Sequence, residues 1–304
     1  MTHTIHGLVP ILATPFHLDG TLDLPGLRRL VEFQLASGVD GVAVFGMASE
    51  GFALTTSERD VIQREVAAVV DGAVPIVAGV NATSTVTALE QARQAADTGA
   101  QALMVLPPFM VPPTPDQLVD FYGDVAGVGL EVMVQDAPGV TGVAMPAALV
   151  VELSKLDGVT SVKVEAPPTV PKVGAVVDAV GGCIEDGARG DSGFAVLGGM
   201  NAQFVLDEYA RGAVGTMPAC EFPDLLAPVL ADWTAGRHAS AREMFARLLP
   251  LIVYGLQPGI AWAVHKEVLV RRGIIDQATV RLPARPIDDT ARTLLDQILA
   301  PLFS

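Results

Sequence analysis

Short apolar runs alternate with amphipathic stretches along this chain, and the alternation is completed eight times. Several of the runs are continuously apolar, as in Ala102–Leu106, which is typical of parallel strands covered on both faces. The spacing between runs leaves room for one helix and two loops in each unit. The predicted strands are Gly7–Phe16, Val39–Gly46, Pro75–Asn81, Ala102–Pro107, Leu130–Ala137, Thr160–Ala166, Gly193–Gly199 and Ala213–Ala219.

Helix signals fill the intervals between these strands. A helix is predicted to begin at Thr56, Ser84 is a candidate N-cap with Gly99 ending the same helix, and Pro115 suits a first helical position. The chain beyond the eighth strand is predicted to form further helices over Ala239–Tyr254, Pro258–Arg272 and Asp288–Leu302.

Eight β-plus-α units in series, without a linker between them, indicate an α/β protein with a (β/α)8 TIM barrel. A doubly wound open sheet is the alternative, but no Gly-x-Gly-x-x-Gly turn follows the first strand. We therefore predict a barrel catalytic domain over residues 1–222 and a C-terminal helical extension over residues 223–304.

Composition and charge restrict the classes of function. The chain has 304 residues, of which 50% are hydrophobic and 17% charged, and this suits a protein with a large core. A net charge of −15 argues against nucleic acid as a partner but not against a small anionic substrate. We expect a cytoplasmic protein without membrane contact, because no apolar run reaches about 18 residues and Met1–His6 does not resemble a signal peptide.

Neither cysteines nor histidines suggest a metal site. Cys183 and Cys220 lack metal-ligand spacing and suggest no disulfide framework, and the five histidines form no HExxH or other paired pattern. We therefore expect no bound metal.

A lysine stands in the middle of the sixth predicted strand. Side chains alternate across a strand, so Lys163 and Glu165 share one face. Burial favours the neutral form of an amine, which is the nucleophile that Schiff-base chemistry needs. An ion pair on a solvated edge strand is the alternative, but a closed barrel has no such edge. The remaining lysines lie in segments predicted to be helical or exposed, namely Lys155, Lys172 and Lys266.

Catalytic groups of a TIM barrel lie at the carboxyl ends of its strands. The segments at these ends resemble, in order and spacing, the dihydrodipicolinate synthase / N-acetylneuraminate lyase family of class I aldolases. The resemblance extends along essentially the whole chain and rests on Ala13–Phe16, Gly46–Gly51, Pro75–Asn81 and Val162–Ala166. It implies that Lys163 condenses with the keto carbon of pyruvate or another 2-oxo acid, giving an iminium and then an enamine. It also implies that no metal or organic cofactor is needed and that the chain forms a homo-oligomer, a dimer or tetramer.

The sequence departs from the synthase pattern where the synthase carries two threonines, two tyrosines and an arginine. Apolar side chains neither transfer protons nor pair with a carboxylate, so these departures argue against dihydrodipicolinate synthesis and sialic acid cleavage. The residues at these positions are Met47, Ala48, Phe109, Met110, Gln135 and Val140.

One branch of the family, the 2-keto-3-deoxy-L-arabinonate dehydratases, resembles this pattern more closely. The shared features are the Gln-Asp-Ala-Pro turn at Gln135–Pro138, the Ser49-Glu50 pair and the Lys-x-Glu of the sixth strand, although Gly46-Met47-Ala48 departs from the branch. This predicts a dehydratase or aldolase of a 2-keto-3-deoxy sugar acid. Condensation of pyruvate with an aldehyde, as in 4-hydroxy-tetrahydrodipicolinate synthase, and a non-catalytic barrel that binds a 2-oxo acid stay open.

Three residues are predicted to carry the chemistry. Lys163 is the predicted Schiff-base nucleophile, with a purely structural buried ion pair with Glu165 as the alternative. Glu165 either moves protons at C3 and assists water loss or only holds Lys163 in place. Gln135 either hydrogen-bonds the substrate or a water, or fills the barrel. Asp136 is expected to face away from Gln135 and to have a structural role.

Five further residues are predicted to bind the substrate. Ser49, with the N–H groups of the loop that contains Met47 and Ala48, is expected to hold the carboxylate, although a role only in the turn is the alternative. Gly199 and Asn201 are expected to line the hydroxylated part of the substrate, although Asn201 is equally suited to a helix N-cap.

Overall fold

The computed structural model describes residues 5–181, 184–185, 188–189 and 193–303. Cys183 and residues 1–4, which entered the predictions above, lie outside the described residues. The eight strands of the main sheet are β1 (Gly7–Leu8), β2 (Val42–Val44), β3 (Ile76–Val80), β4 (Ala102–Val105), β5 (Glu131–Asp136), β6 (Val159–Val164), β7 (Ala195–Gly198) and β8 (Gly215–Thr216). All pairings are parallel, in the order β1-β8-β7-β6-β5-β4-β3-β2. Separately, Ile184–Glu185 pairs antiparallel with Ala188–Arg189.

The two ends of this sheet meet at Ile11. Ile11 forms parallel bridges with Ala43 of β2 and with Ala219, just beyond β8. The N–H of Ala43 donates to the carbonyl of Pro10 at 2.9 Å. Because Pro10 has no N–H to donate, the regular part of β1 is shorter than the predicted Gly7–Phe16. The sheet therefore closes on itself, which confirms the predicted TIM barrel.

Helices follow the strands around the outside of the barrel, and their starts agree with the sequence signals. Thr55 and Glu58 form a capping box, Ser84 accepts a hydrogen bond from the N–H of Thr87, and Pro115 occupies the first turn of its helix. The helices are α1 (Leu24–Ala36), α2 (Thr56–Val70), α3 (Thr85–Asp97), α4 (Pro115–Ala126), α5 (Pro138–Thr141), α6 (Ala147–Leu153), α7 (Thr169–Ala179), α8 (Val205–Ala210), α9 (Pro223–Thr234), α10 (His238–Tyr254), α11 (Ala261–Arg271) and α12 (Asp289–Leu299).

Apolar side chains form two cores, one on each side of the barrel wall. Val162 and Val164 of β6 point outward into the layer between the sheet and the helices. By alternation Lys163 points inward. The interior is filled by a second cluster, as in other barrels of this type, whose members include Val9, Ile11, Val77, Met104, Met133 and Leu197. The lumen is therefore a packed core on which the carboxyl-end loops rest.

The C-terminal region is helical, as predicted, and packs on the barrel. Helix α10 lies against α9, and α11 reaches the turn Met47–Ser49 that follows β2. The division of the chain at residue 222 stays a prediction. No helix within the described ranges is long and apolar enough to span a bilayer.

Candidate active site

A lysine, a carboxylate and an amide meet at the carboxyl ends of β5 and β6. The Nζ atom of Lys163 lies 3.2 Å from Oε1 of Glu165, and the Nε2 atom of Gln135 donates to Oε2 of Glu165 at 2.8 Å. Gln135 and Lys163 are register partners on adjacent strands, which explains why their side chains emerge side by side. The side chains of Lys163 and Glu165 are only 4% and 7% exposed. The structure thus brings together all three predicted catalytic residues.

In this cluster the amide of Gln135 keeps a free acceptor, while the carboxylate of Glu165 is held by the backbone. Oε1 of Gln135 is buried without a hydrogen-bond partner, and a buried acceptor left unpaired is costly. The N–H of Met200 donates to Oε1 of Glu165 at 3.3 Å and helps to fix that carboxylate. The amide oxygen of Gln135 is thus available to a substrate group, which suits the hydrogen-bonding role predicted for this residue.

Gly199, a predicted substrate-binding residue, makes room for Glu165. A Cβ atom at position 199 would lie 2.3 Å from Cγ of Glu165. Any side chain here would therefore displace the carboxylate from Lys163. Gly199 borders the cluster, but its direct observed effect is on the position of Glu165.

Asp136 faces the opposite side of β5, as predicted. Its carboxylate pairs with Lys172 of α7, whose amine also donates to the carbonyl of Met145 at 2.6 Å. Burial raises the pKa of Asp136, and the neighbouring Lys172 acts in the opposite direction. The pair joins β5 to the outer helices.

The loop after β2 carries Met47, Ala48 and Ser49 in a short 3-10 turn. Ser49 is buried and its hydroxyl has no hydrogen-bond partner, while its carbonyl accepts from the hydroxyl of Thr14 at 2.6 Å. Ala48 packs against the interior cluster that contains Leu197, the register partner of Lys163. The loop and the lysine therefore border the same interior, and the unpartnered hydroxyl suits the predicted binding role.

Asn201 is held by protein groups at both ends of its amide. Its Oδ1 accepts from the N–H of Ala219 at 2.9 Å, and its Nδ2 donates to the carbonyl of Ile252 at 3.2 Å. Asn201 lies inside the 3-10 turn Met200–Ala202 with a left-handed φ of 53°, and Gly199 is the residue in the N-cap position of that turn. The alternative interpretation of Asn201 as an N-cap is wrong, because a cap residue keeps an extended backbone. Its substrate contact stays a prediction.

Two buried pairs link the C-terminal region to the mouth of the barrel. Lys266 of α11 pairs with Glu50, and both side chains are completely buried. Nδ1 of His265 lies 2.7 Å from Oε1 of Glu221, which follows β8. The prediction that Lys266 lies in a segment that is helical or exposed is confirmed by its place in α11, and its side chain is buried with the amine against Glu50 and the ring of Phe16.

Glu208 of α8 is a buried acid that sequence reasoning missed. Its Oε1 accepts from the hydroxyl of Thr169 at 2.6 Å, and its Oε2 has no partner. Burial raises the pKa of Glu208 to about 7, and Glu165 adds to the increase. The preceding sequence signals only a short amphipathic helix, so nothing in the local pattern indicates this acid.

The described part of the chain holds no group of three or more His, Cys, Asp or Glu side chains that could bind a metal ion. The expectation that the reaction needs neither metal nor organic cofactor stays a prediction. What the site can supply by itself is an amine, an adjacent carboxylate and hydrogen-bonding groups.

Comparison with known proteins gives the same picture along the whole chain. A model described as the dihydrodipicolinate synthetase family matches residues 4–301. An L-2-keto-3-deoxyarabonate dehydratase from Azospirillum brasilense is 31% identical over 297 residues, covering 95% of this chain and 92% of that protein.

Two solved structures superpose closely. A dihydrodipicolinate synthase from Rhodopseudomonas palustris has a TM-score of 0.89 at 27% identity, covering 99% of this chain and 98% of that one. A prophage protein of the dihydrodipicolinic acid synthase family from E. coli K12, in complex with pyruvate, has a TM-score of 0.89 at 25% identity and covers 98% of both chains. The resemblance predicted from the motifs is confirmed.

Proposed function

Because the chain belongs to the dihydrodipicolinate synthetase family, we propose that it is a Schiff-base-forming lyase acting on a 2-oxo acid. The preferred activity is dehydration or aldol cleavage of a 2-keto-3-deoxy sugar acid. The observation that carries the proposal is the buried contact of 3.2 Å between the amine of Lys163 and the carboxylate of Glu165. An amine beside a proton acceptor inside a barrel mouth is the arrangement that imine formation requires.

The first half of the reaction forms the enamine. Glu165 accepts a proton from the ammonium group of Lys163, and the neutral amine attacks C2 of the substrate. The carbonyl oxygen leaves as water and an iminium remains. Glu165, again as carboxylate, removes a proton from C3, and the electron pair of that C–H bond moves to form the enamine.

The second half expels the hydroxyl at C4. Electrons return from the enamine nitrogen, the C4–O bond breaks, and the acid form of Glu165 gives its proton to the departing oxygen. Hydrolysis of the resulting iminium frees the dehydrated 2-oxo acid and Lys163. Gln135 donates to Glu165 throughout and offers its free Oε1 to a substrate hydroxyl or a water.

The substrate carboxylate is assigned to Ser49, whose buried hydroxyl lacks a protein partner. Met47 and Ala48 of the same loop border this region without polar side-chain groups. Gly199 and Asn201 are assigned to the hydroxylated end, beside Glu165 and the turn after β7.

The proposed preference for sugar acids rests on the missing hydroxyl and guanidinium groups. Gln135 is buried where a synthase is expected to carry tyrosine, and Val140 stands exposed where it is expected to carry arginine. The dehydratase name of one relative adds support. Condensation of pyruvate with an aldehyde is the second candidate, since a dihydrodipicolinate synthase superposes with a TM-score of 0.89.

Borohydride trapping tests the chemistry. Incubation with pyruvate and borohydride is expected to add the mass of a reduced pyruvyl group at Lys163, and Lys163→Ala is expected to take up none. Glu165→Gln should lower turnover by about 10²–10⁴-fold, the range of a general acid or base. An unlabelled protein would contradict the proposal and favour the non-catalytic binding barrel.

Product analysis distinguishes the two candidate activities. Turnover of a panel of 2-keto-3-deoxy acids, unaffected by a chelator, is the expected result. Activity confined to pyruvate with aspartate semialdehyde would contradict the preference for sugar acids.

We also propose that the chain assembles as a homo-oligomer, a dimer or tetramer, in the cytoplasm. Apolar side chains that are exposed beside the barrel mouth support the assembly, namely Phe109, Met110, Val111 and Val140. Sedimentation of the purified protein measures the oligomeric state, and a monomer would contradict the assembly.

A further inference from the structure

The loop that carries Ser49 is held by the C-terminal helical region, and Glu50 is the point of attachment. Glu50 separates the 3-10 turns Met47–Ser49 and Gly51–Ala53 and has a left-handed φ of 56°. Glycine adopts this backbone without strain, whereas a residue with a Cβ atom is strained there. A glutamate at this position indicates that its side chain offsets the strain.

Both oxygens of the Glu50 carboxylate are bound by groups from the end of the chain. The amine of Lys266 donates to Oε1 of Glu50 and, at 2.7 Å, to the carbonyl of Thr279. The N–H of Arg281 donates to Oε2 at 2.8 Å. Because both charged groups are completely buried, removal of either one leaves an uncompensated charge in the interior.

Burial of the amine disfavours its charged form. Burial lowers the pKa of Lys266 to about 8, while Glu50 opposes the decrease. The ring of Phe16 adds to the support, since the amine lies 4.3 Å from the ring centroid. Because Lys266 is held in this way, it also fixes the loop that carries the carboxylate of Glu50.

Two residues, Trp262 and Arg281, attach the same loop on either side of Glu50. Nε1 of Trp262 donates to the carbonyl of Met47 at 2.5 Å, and its ring meets Phe52 edge-to-face with centroids 5.2 Å apart. The guanidinium of Arg281 donates to the carbonyl of Ala53 at 2.9 Å. The loop is therefore fixed at its start, middle and end by α11 and the segment that follows it.

We propose that Lys266 is a positioning residue for substrate binding. Through Glu50 it fixes the loop over residues 47–53, so that the free hydroxyl of Ser49 stays directed at the carboxylate of the 2-oxo acid. The inference rests on the proposed function, because it takes Ser49 as the carboxylate ligand. Lys266 itself forms no bond to the substrate.

The test compares two ketones that share the Schiff-base step but differ in charge. The rate of borohydride-trapped adduct formation is measured at low concentrations of pyruvate and of hydroxyacetone, which has no carboxylate. In Lys266→Met the rate with pyruvate should fall about tenfold or more relative to the rate with hydroxyacetone, the loss expected for one misplaced charged hydrogen bond. The adduct yield at saturating pyruvate should stay at the unsubstituted level.

Lys172→Met is the matched control. It also removes a lysine from a pair with a buried carboxylate, Asp136, but far from the loop in the chain and on the outer side of β5. It should lower stability and leave the ratio of the two rates unchanged. Equal losses with both ketones in Lys266→Met, or an unchanged ratio, would overturn the proposal.

A second variant keeps the test decisive if Lys266→Met fails to fold. Glu50→Gln keeps the size of the side chain but removes the charge that the amine of Lys266 binds; a ratio that falls supports the proposal, and a wild-type ratio overturns it. The unsubstituted protein is assayed first. Absence of any adduct there would overturn the proposed function, and the present inference with it.

Discussion

Among single residues, Glu208 has the clearest consequence for the behaviour of the protein. It is fully buried, bonded through only one oxygen, and lies against the backbone of Gly198, where a Cβ atom would come within 1.9 Å of its Oε2. Since burial raises its pKa to about 7, the folded chain retains a proton here that the unfolded chain releases. The stability this provides is complete below the unfolded value of 4.5 and is lost as the pH rises through about 7.

Glu208→Gln should therefore change the pH dependence of stability. The amide needs no proton, so the variant should gain relative to the unsubstituted protein as pH rises, by roughly 2 kcal/mol between about pH 5.5 and 8. Urea unfolding at several pH values measures the difference. Glu243→Gln, at an exposed glutamate of α10, is the control, and a curve for Glu208→Gln parallel to that of the unsubstituted protein would contradict the assignment.

Among the elements, β7 ends in two successive glycines that face opposite sides of the barrel wall, because side chains alternate along a strand. Gly198 faces outward against Glu208, and Gly199 faces the lumen against Glu165. Each glycine leaves room for one carboxylate. The loops that follow β2 and β7 also hold most of the left-handed non-glycine residues of the described chain, including Phe45, Glu50 and Asn201, a strain that is typical of functional sites.

Alanine substitutions at the two glycines should have different effects. Gly199→Ala displaces Glu165 and should lower kcat by about 10²-fold, the usual loss for a catalytic group misplaced by 1 Å. Gly198→Ala should instead cost about 1–3 kcal/mol of stability through overpacking. Turnover and urea midpoints of both variants provide the measurement. A loss of kcat that is equal in both would count against the division.

For the whole molecule, the net charge of −15 sets a general repulsion between surface groups. The ion pairs that join distant parts of the fold include Arg281 with Glu58, where the guanidinium lowers the pKa of Glu58 to about 2. Many of the other charged side chains are exposed, and the 34 acidic residues outnumber the 19 lysines and arginines. Such repulsion acts against the compact state and is reduced by salt.

Raising NaCl from about 10 mM to about 150 mM should therefore increase the melting temperature by a few degrees, because the screening length falls from about 30 Å to about 8 Å. Calorimetry at constant pH gives the value. Sucrose at matched osmolality controls for exclusion from the surface. A melting temperature that decreases with salt would indicate that attractive pairs dominate.

The sequence by itself determined the barrel and the inward-facing lysine of its sixth strand. Runs of apolar residues at strand spacing, separated by capped helices, permit few arrangements other than eight parallel strands closed on themselves. Lys163 could be found because a charged residue in such a run is exceptional. The side of β5 on which Asp136 lies could be predicted because the alternation of side chains along a strand is a local property.

Only the tertiary structure decided which polar groups meet. Glu50 and Lys266 are 216 residues apart in the chain, and Gln135 and Glu165 are 30 apart. No local pattern relates such residues, since their proximity depends on strand register and on where the last helices pack. Both lysines are buried, and only the folded chain shows that Lys163 pairs with Glu165 whereas Lys266 pairs with Glu50.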